Sequence, residues 1–144
     1  LFRSLTGYIT EGQIVLGRDL FRQGIYPPVN ILMSLSRLMK DGIGEGSTRE
    51  DHGEISNQNY DGYSRAQEVR ALAGIVGKAG LTEIDLKYMN VGDIFEKEFL
   101  TQATDENRTI DETLGILWKV VSQLPKNELT KVKDKYVEQF YQEK

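Results

Sequence analysis

The sequence predicts a mainly α protein, with a carboxy-terminal helical bundle preceded by the closing elements of an α/β layer. Apolar residues recur every three or four positions through four successive stretches after Thr48. Thr48, Thr82 and Thr109 each stand three residues before an acid, Asp51, Asp85 and Glu112, which is the spacing of a helix start. The first 46 residues differ, being broken by Pro27, Pro28 and a run of glycines. Residues 1–46 are therefore expected to be the remnant of one domain and residues 47–144 a helical domain.

Within the first part, Thr10-Glu11-Gly12-Gln13 has capping-box spacing, and Ile14, Val15, Leu16, Leu20 and Phe21 follow at helical intervals up to Gly24. This predicts a short helix. Ile25-Tyr26-Pro27-Pro28 is non-helical, because each proline fixes its own backbone and pushes the preceding residue towards extended geometry. Val29 to Leu32 then reads as a short strand, followed by Ser34 to Met39 and a break at Gly42, Gly44 and Gly46. An α/β layer with its other strands missing would leave Ile14, Leu20 and Ile31 in need of burial, so either a different packing of this segment or self-association of the chain is expected.

The second part opens with the longest helix, from Thr48 to Gly77, with Ile55, Tyr60, Tyr63, Val69, Leu72 and Val76 on one face. A helix from Thr82 carries Ile84, Tyr88, Val91, Phe95 and Phe99, and one from Thr109 carries Leu114, Trp118, Val121 and Leu124 before Pro125. Asn127 is expected to cap a last helix bearing Leu129, Val132, Tyr136 and Phe140. Short polar joints between four helices favour a bundle.

Composition narrows the function. The 144 residues suffice for one domain with a real core, and 39% hydrophobic with 28% charged residues excludes wholesale disorder. The net charge of -4, from 22 acidic and 18 basic residues, argues against a nucleic-acid footprint. There is no cysteine, which removes disulfides and thiol chemistry and leaves the cytoplasm as the expected location. No apolar run approaches the roughly 20 residues of a membrane helix. The start at Leu1, inside a stretch patterned like a structured segment, suggests a piece of a longer protein.

Among candidate chemical groups, Gly42-Ile43-Gly44-Glu45-Gly46-Ser47-Thr48 lacks the lysine of a phosphate loop and places Glu45 where phosphate would sit, so a hinge is favoured. His52 is the sole histidine and is expected as a solvated helix-start residue; no metal site is expected. Asn107-Arg108-Thr109 has the form of a glycosylation sequon, but capping explains Thr109 better. Arg37, after Ser34-Leu35-Ser36, has no acidic neighbour in sequence. Local sequence favours a packing or salt-bridge role over a phosphate-directed one, and periodicity does not decide between them.

Read as strings, Gly7-Tyr8-Ile9-Thr10-Glu11-Gly12-Gln13, Gly24-Ile25-Tyr26-Pro27-Pro28-Val29-Asn30, Ser34-Leu35-Ser36-Arg37-Leu38-Met39 and Thr48-Arg49-Glu50-Asp51-His52 resemble the non-catalytic B subunit of archaeal and vacuolar-type rotary ATPases. The likeness continues through Glu106-Asn107-Arg108-Thr109 and Glu112-Thr113-Leu114, and covers the chain from Leu5. Leu1 to Ser4 match nothing convincingly. The chain departs from the usual pattern at Met33, where proline is common, at Asn59, where leucine is usual, and at Ala103, where glycine is common.

The resemblance implies that residues 5–46 are the last elements of a RecA-like nucleotide-binding domain and that the helical domain follows. It implies a role for Arg37 in trans, reaching nucleotide on a catalytic A subunit, and places Tyr26 in a segment forming part of the nucleotide-pocket wall, where turn packing is an equal alternative. It further implies an alternating hexamer with catalytic A subunits, contacts to a central stalk, ATP or ADP at the subunit interface with no cofactor held by this chain alone, and a position peripheral to the membrane. The chain by itself is expected to be no enzyme. The competing reading is a helical protein-interaction module with no link to nucleotide.

Overall fold

The computed structural model describes residues 9–143. Leu1 to Ser4 and the Gly7-Tyr8 start of the first motif lie outside the described residues.

The segment expected to be helical from Thr10 to Gly24 is instead an extended arm followed by one short helix. Strand β1 (Gly12–Gln13) pairs antiparallel with β2 (Leu35–Ser36), Gly12 opposite Ser36 and Gln13 opposite Leu35. The Val15 N–H donates to Ser34 Oγ at 3.0 Å, and the Val15 carbonyl accepts from Asn30 N–H at 2.7 Å. The Gly17 N–H donates to the Pro28 carbonyl at 2.8 Å. The arm's backbone groups thus find partners well downstream in the chain rather than one turn away, and helix α1 begins only at Arg18, ending at Arg22. Two glycines and the β-branched pair Ile14-Val15 make that exchange cheap. Gly12 also allows a close approach, since a Cβ there would lie 2.8 Å from the Leu35 carbonyl oxygen.

Val29 to Leu32 is not a strand either. Val29 makes one isolated bridge to Leu16, and a 3-10 turn occupies Ile31–Met33. Asn30 decides this, its Oδ1 accepting from Met33 N–H at 3.2 Å and its carbonyl from Ser34 Oγ at 2.6 Å. Met33 is therefore useful where a proline would have no N–H to give. A short helix α2 (Met39–Gly42) leads into the glycine-rich loop.

The bundle matches the expected mainly α class. Helix α3 (His52–Val76) is capped by Gly77, whose φ of 74° suits only glycine well. Helices α4 (Glu83–Ile94) and α5 (Ile110–Val121) both begin with complete capping boxes, Thr82 with Asp85 and Thr109 with Glu112. A π-helical segment, Phe95–Leu100, continues α4. Buried Ile55, Tyr63 and Val69 of α3 meet Tyr88, Val91 and Phe95, and Leu114, Leu117, Trp118 and Leu124 close the core. Each such apolar side chain contributes roughly 1.5–3 kcal/mol by leaving water.

Tyr60, Leu72 and Val76 were expected on the buried face of α3 but are exposed. Val69 is the last buried residue of the helix, and past Arg70 its residues are mostly exposed. The final helix also starts later than expected: Asn127 sits in a 3-10 turn (Lys126–Glu128), and α6 spans Asp134–Phe140. Leu129 and Val132 are buried from the intervening loop. Side chains of α3 claim that loop's amides, Lys131 N–H donating to Gln58 Oε1 at 2.9 Å and Lys133 N–H to Glu54 Oε2 at 2.8 Å.

Candidate functional site

Arg37 directly follows β2, and its side chain is exposed. Its backbone N–H donates to the Glu11 carbonyl at 2.8 Å, extending the small ladder by one bond. The hairpin therefore fixes the Cα of Arg37 while leaving the guanidinium at the surface. The residues before it have another task. Ser34, Leu35 and Ser36 line an apolar groove of about 370 Å³ together with Ile14, Ile31, Tyr60, Phe95, Phe99 and Leu117. The motif thus sits on the seam between the amino-terminal segment and the bundle.

Tyr26 lies on a separate turn and is 53% exposed, while its neighbour Ile25 is buried in the core. The Tyr26 carbonyl accepts from Gln102 N–H at 2.7 Å, which ties this turn to the end of the π-helical segment. Arg37 and Tyr26 are each held by a backbone bond to a different part of the chain.

The glycine-rich loop is a closed turn. Gly44 and Gly46 have φ of 94° and 85°. The Gly44 N–H donates to Thr48 Oγ1 at 2.8 Å, and the Ser47 and Thr48 N–H groups donate to the Gly44 carbonyl at 3.0 and 2.7 Å. The amides of Gly44, Ser47 and Thr48, which a phosphate would otherwise draw on, are thus committed within the loop. His52 was expected to be solvated, but it is half-buried with Nδ1 3.0 Å from Thr48 Oγ1. Burial pushes its pKa below the ordinary value, an effect that nearby Asp51 opposes and Arg49 reinforces.

Behind this loop lies a polar centre that spacing alone did not disclose. Asp51 is 0% exposed and accepts from Arg49 at 2.5 and 2.8 Å and from Trp118 Nε1 at 2.6 Å. Burial alone would raise the Asp51 pKa, but the Arg49 and Trp118 hydrogen bonds outweigh it and hold the carboxyl below its ordinary range. A second cluster joins α3 to the π-helical segment: Arg70 donates to Glu96 at 2.6 and 2.9 Å and to Asp93 at 2.6 Å, and Tyr63 donates to Glu96 at 2.9 Å. Glu96 is likewise held below its ordinary pKa, the Arg70 bonds overcoming burial. These paired charges join Arg49 and Asp51 to α5 and α3 to the π-helical segment. Among the described residues no three His, Asp or Glu side chains gather as a metal-holding group, and no helix is long and apolar enough to cross a membrane.

Asn59 is buried at 2% exposure. Its Nδ2 donates to the Ile55 and Leu117 carbonyls at 2.9 and 3.2 Å, while its Oδ1 has no hydrogen-bond partner among the described residues. Ala103 needs no glycine-like conformation, since no non-glycine residue among those described has positive φ.

Residues 41–141 match the C-terminal domain of V and A type ATP synthase. The chain belongs to that family. Residues 2–36 match the nucleotide-binding domain of the ATP synthase alpha/beta family, so the arm and hairpin are the last elements of such a domain and the fold joins these to the helical bundle. The chain is 88% identical over 139 residues to the B subunit of the A-type ATP synthase of Nitrosopumilus maritimus, covering 96% of this chain and 30% of that protein. It is 57% identical over 137 residues to the V-type ATP synthase beta chain of Halothermothrix orenii, with 95% and 30% covered. Among solved structures, the ATP synthase subunit NeqB from Nanoarchaeum equitans superposes with a TM-score of 0.77 at 40% identity, covering 85% of this chain and 30% of that one. The chain thus spans about 30% of the length of these relatives and corresponds to the carboxy-terminal part of the B subunit.

Proposed function

We propose that this chain is the carboxy-terminal part of the non-catalytic, regulatory subunit of an ion-translocating A/V-type rotary ATPase, and that Arg37 acts in trans on nucleotide held by a neighbouring catalytic A subunit. The observation that carries this is the placement of Arg37 in a B-subunit family sequence: a backbone pinned by β2 and the Glu11 carbonyl, with an exposed side chain. A permanently charged, planar guanidinium presented this way can stabilise charge developing on a transferring phosphoryl group without local acid–base chemistry.

On this reading the division near residue 46 separates the end of the nucleotide-binding domain from the helical domain. Tyr26 contributes an aromatic wall to the interface pocket, ATP or ADP occupies the subunit interface, and the chain alone holds no cofactor and turns over no substrate. Its partners are the catalytic A subunits and the central stalk, and the complex keeps it on the cytoplasmic side, peripheral to the membrane. Leu72, Ile75 and Val76, all exposed beyond the packed part of α3, offer apolar surface for those contacts.

The test is Arg37→Ala in the complete protein, assembled into the ring with catalytic partners. Assembly should survive while ATPase activity falls by about a thousandfold or more, the loss typical of an arginine finger. An intact ring with unchanged turnover would make Arg37 a structural residue.

A further inference from the structure

The joint between the Tyr26 turn and the bundle depends on where the π-helical segment ends. Its wide last turn closes on the Glu96 carbonyl, which accepts from Thr101 N–H at 3.0 Å and from Thr101 Oγ1 at 2.8 Å. The next residue, Gln102, gives its N–H to Tyr26. Helix ends leave carbonyls without intrahelical donors, and a π turn disturbs the register that would satisfy them. Arg108 supplies what is missing. Its Nη1 donates to the Phe99 carbonyl at 2.9 Å and its Nη2 to the Thr101 carbonyl at 3.0 Å.

The same guanidinium is held from behind. Arg108 Nε pairs with Glu106, whose other carboxylate oxygen accepts from Ala103 N–H at 2.9 Å. One half-buried side chain therefore bonds to positions 99, 101 and 106, and Gln102 lies in the short stretch these contacts enclose. Only a planar fork satisfies two carbonyls and a carboxylate in fixed directions; an ammonium keeps the charge but not the directions.

We propose that Arg108 is a positioning residue: by locking the end of the π-helical segment it sets the Gln102 N–H against the Tyr26 carbonyl, so that the Tyr26 turn moves with α4 and not independently of the bundle. Its consequence for nucleotide rests on the reading of Tyr26 given above. The mechanical link does not.

The experiment uses the complete protein carrying Arg108→Gln or Arg108→Lys, assembled into the ring, with amide hydrogen exchange resolved at Gln102 and across α5, and with KM and kcat for ATP read separately. Loss of the guanidinium contacts should accelerate Gln102 exchange by about tenfold or more in both variants while Leu117 to Val121 stay protected. KM should rise with kcat largely kept. Unchanged Gln102 exchange overturns the proposal. So does loss of protection throughout α5, which would make Arg108 a general stability residue. Faster exchange at Gln102 with an unaltered KM upholds the mechanical link and refutes the role of Tyr26 at nucleotide.

Discussion

Asp51→Ala is the sharpest probe of what holds the helical domain together. It strips the charged acceptor from beneath Trp118, leaving an indole N–H on a residue 1% exposed, at roughly 1–3 kcal/mol for a buried donor without a partner. Breaking a buried ion pair typically costs about 3–5 kcal/mol, but the Arg49 side chain keeps 25% exposure and lies 4.3 Å from the Phe140 ring centroid, so its share falls at the low end. These contributions overlap, and a net loss of about 3 kcal/mol is expected from the two principles together. Asp51→Asn leaves an oxygen for Trp118 and should cost about half as much.

Urea unfolding followed by fluorescence of Trp118, the sole tryptophan, measures both variants. The same site dictates a pH dependence. The folded pKa of Asp51 lies below its ordinary 3.8, so the unfolded chain takes up the proton first as pH falls. Its contribution to stability is complete above about pH 4 and is lost as pH drops through the folded value, and Asp51→Asn should flatten that acid limb. A cost below about 1 kcal/mol for Asp51→Ala, at an unchanged denaturant slope, would refute the account of this buried centre.

Asn59→Leu should raise stability by about 1 kcal/mol, because it removes an unsatisfied buried oxygen beside a groove with room for a larger side chain; a comparable loss in thermal unfolding would contradict this. Gly92→Ala should cost about 1–3 kcal/mol, since the added Cβ would lie 2.8 Å from the Ala66 Cβ and force α3 and α4 apart. The double variant with Ala66→Gly should recover most of that loss, and failure to recover would mean that the two helices are not in contact there.

The sequence by itself determined the mainly α class, the starts of α4 and α5, and most of the core, because capping boxes and apolar periodicity are local signals. Thr82, Thr109, Val91, Leu114 and Trp118 all take the roles their spacing predicts. Its resemblance to the B-subunit family was likewise legible in ordered motifs, and the family matches bear it out. Tertiary structure decided the rest. Thr10 to Gly24 has helical spacing, yet the backbone of the arm before α1 bonds to Asn30, Ser34 and the Leu35–Ser36 strand; Asn127 has the chemistry of a cap, yet Gln58 and Glu54 claim the amides downstream of it. The linked trio of Arg49, Asp51 and Trp118 and the Arg108 strut had no sequence signal, since their partners are separated by up to 67 residues or by an irregular helix end. Spacing describes what one turn can satisfy, and these groups are satisfied only when distant backbone and side chains are brought together.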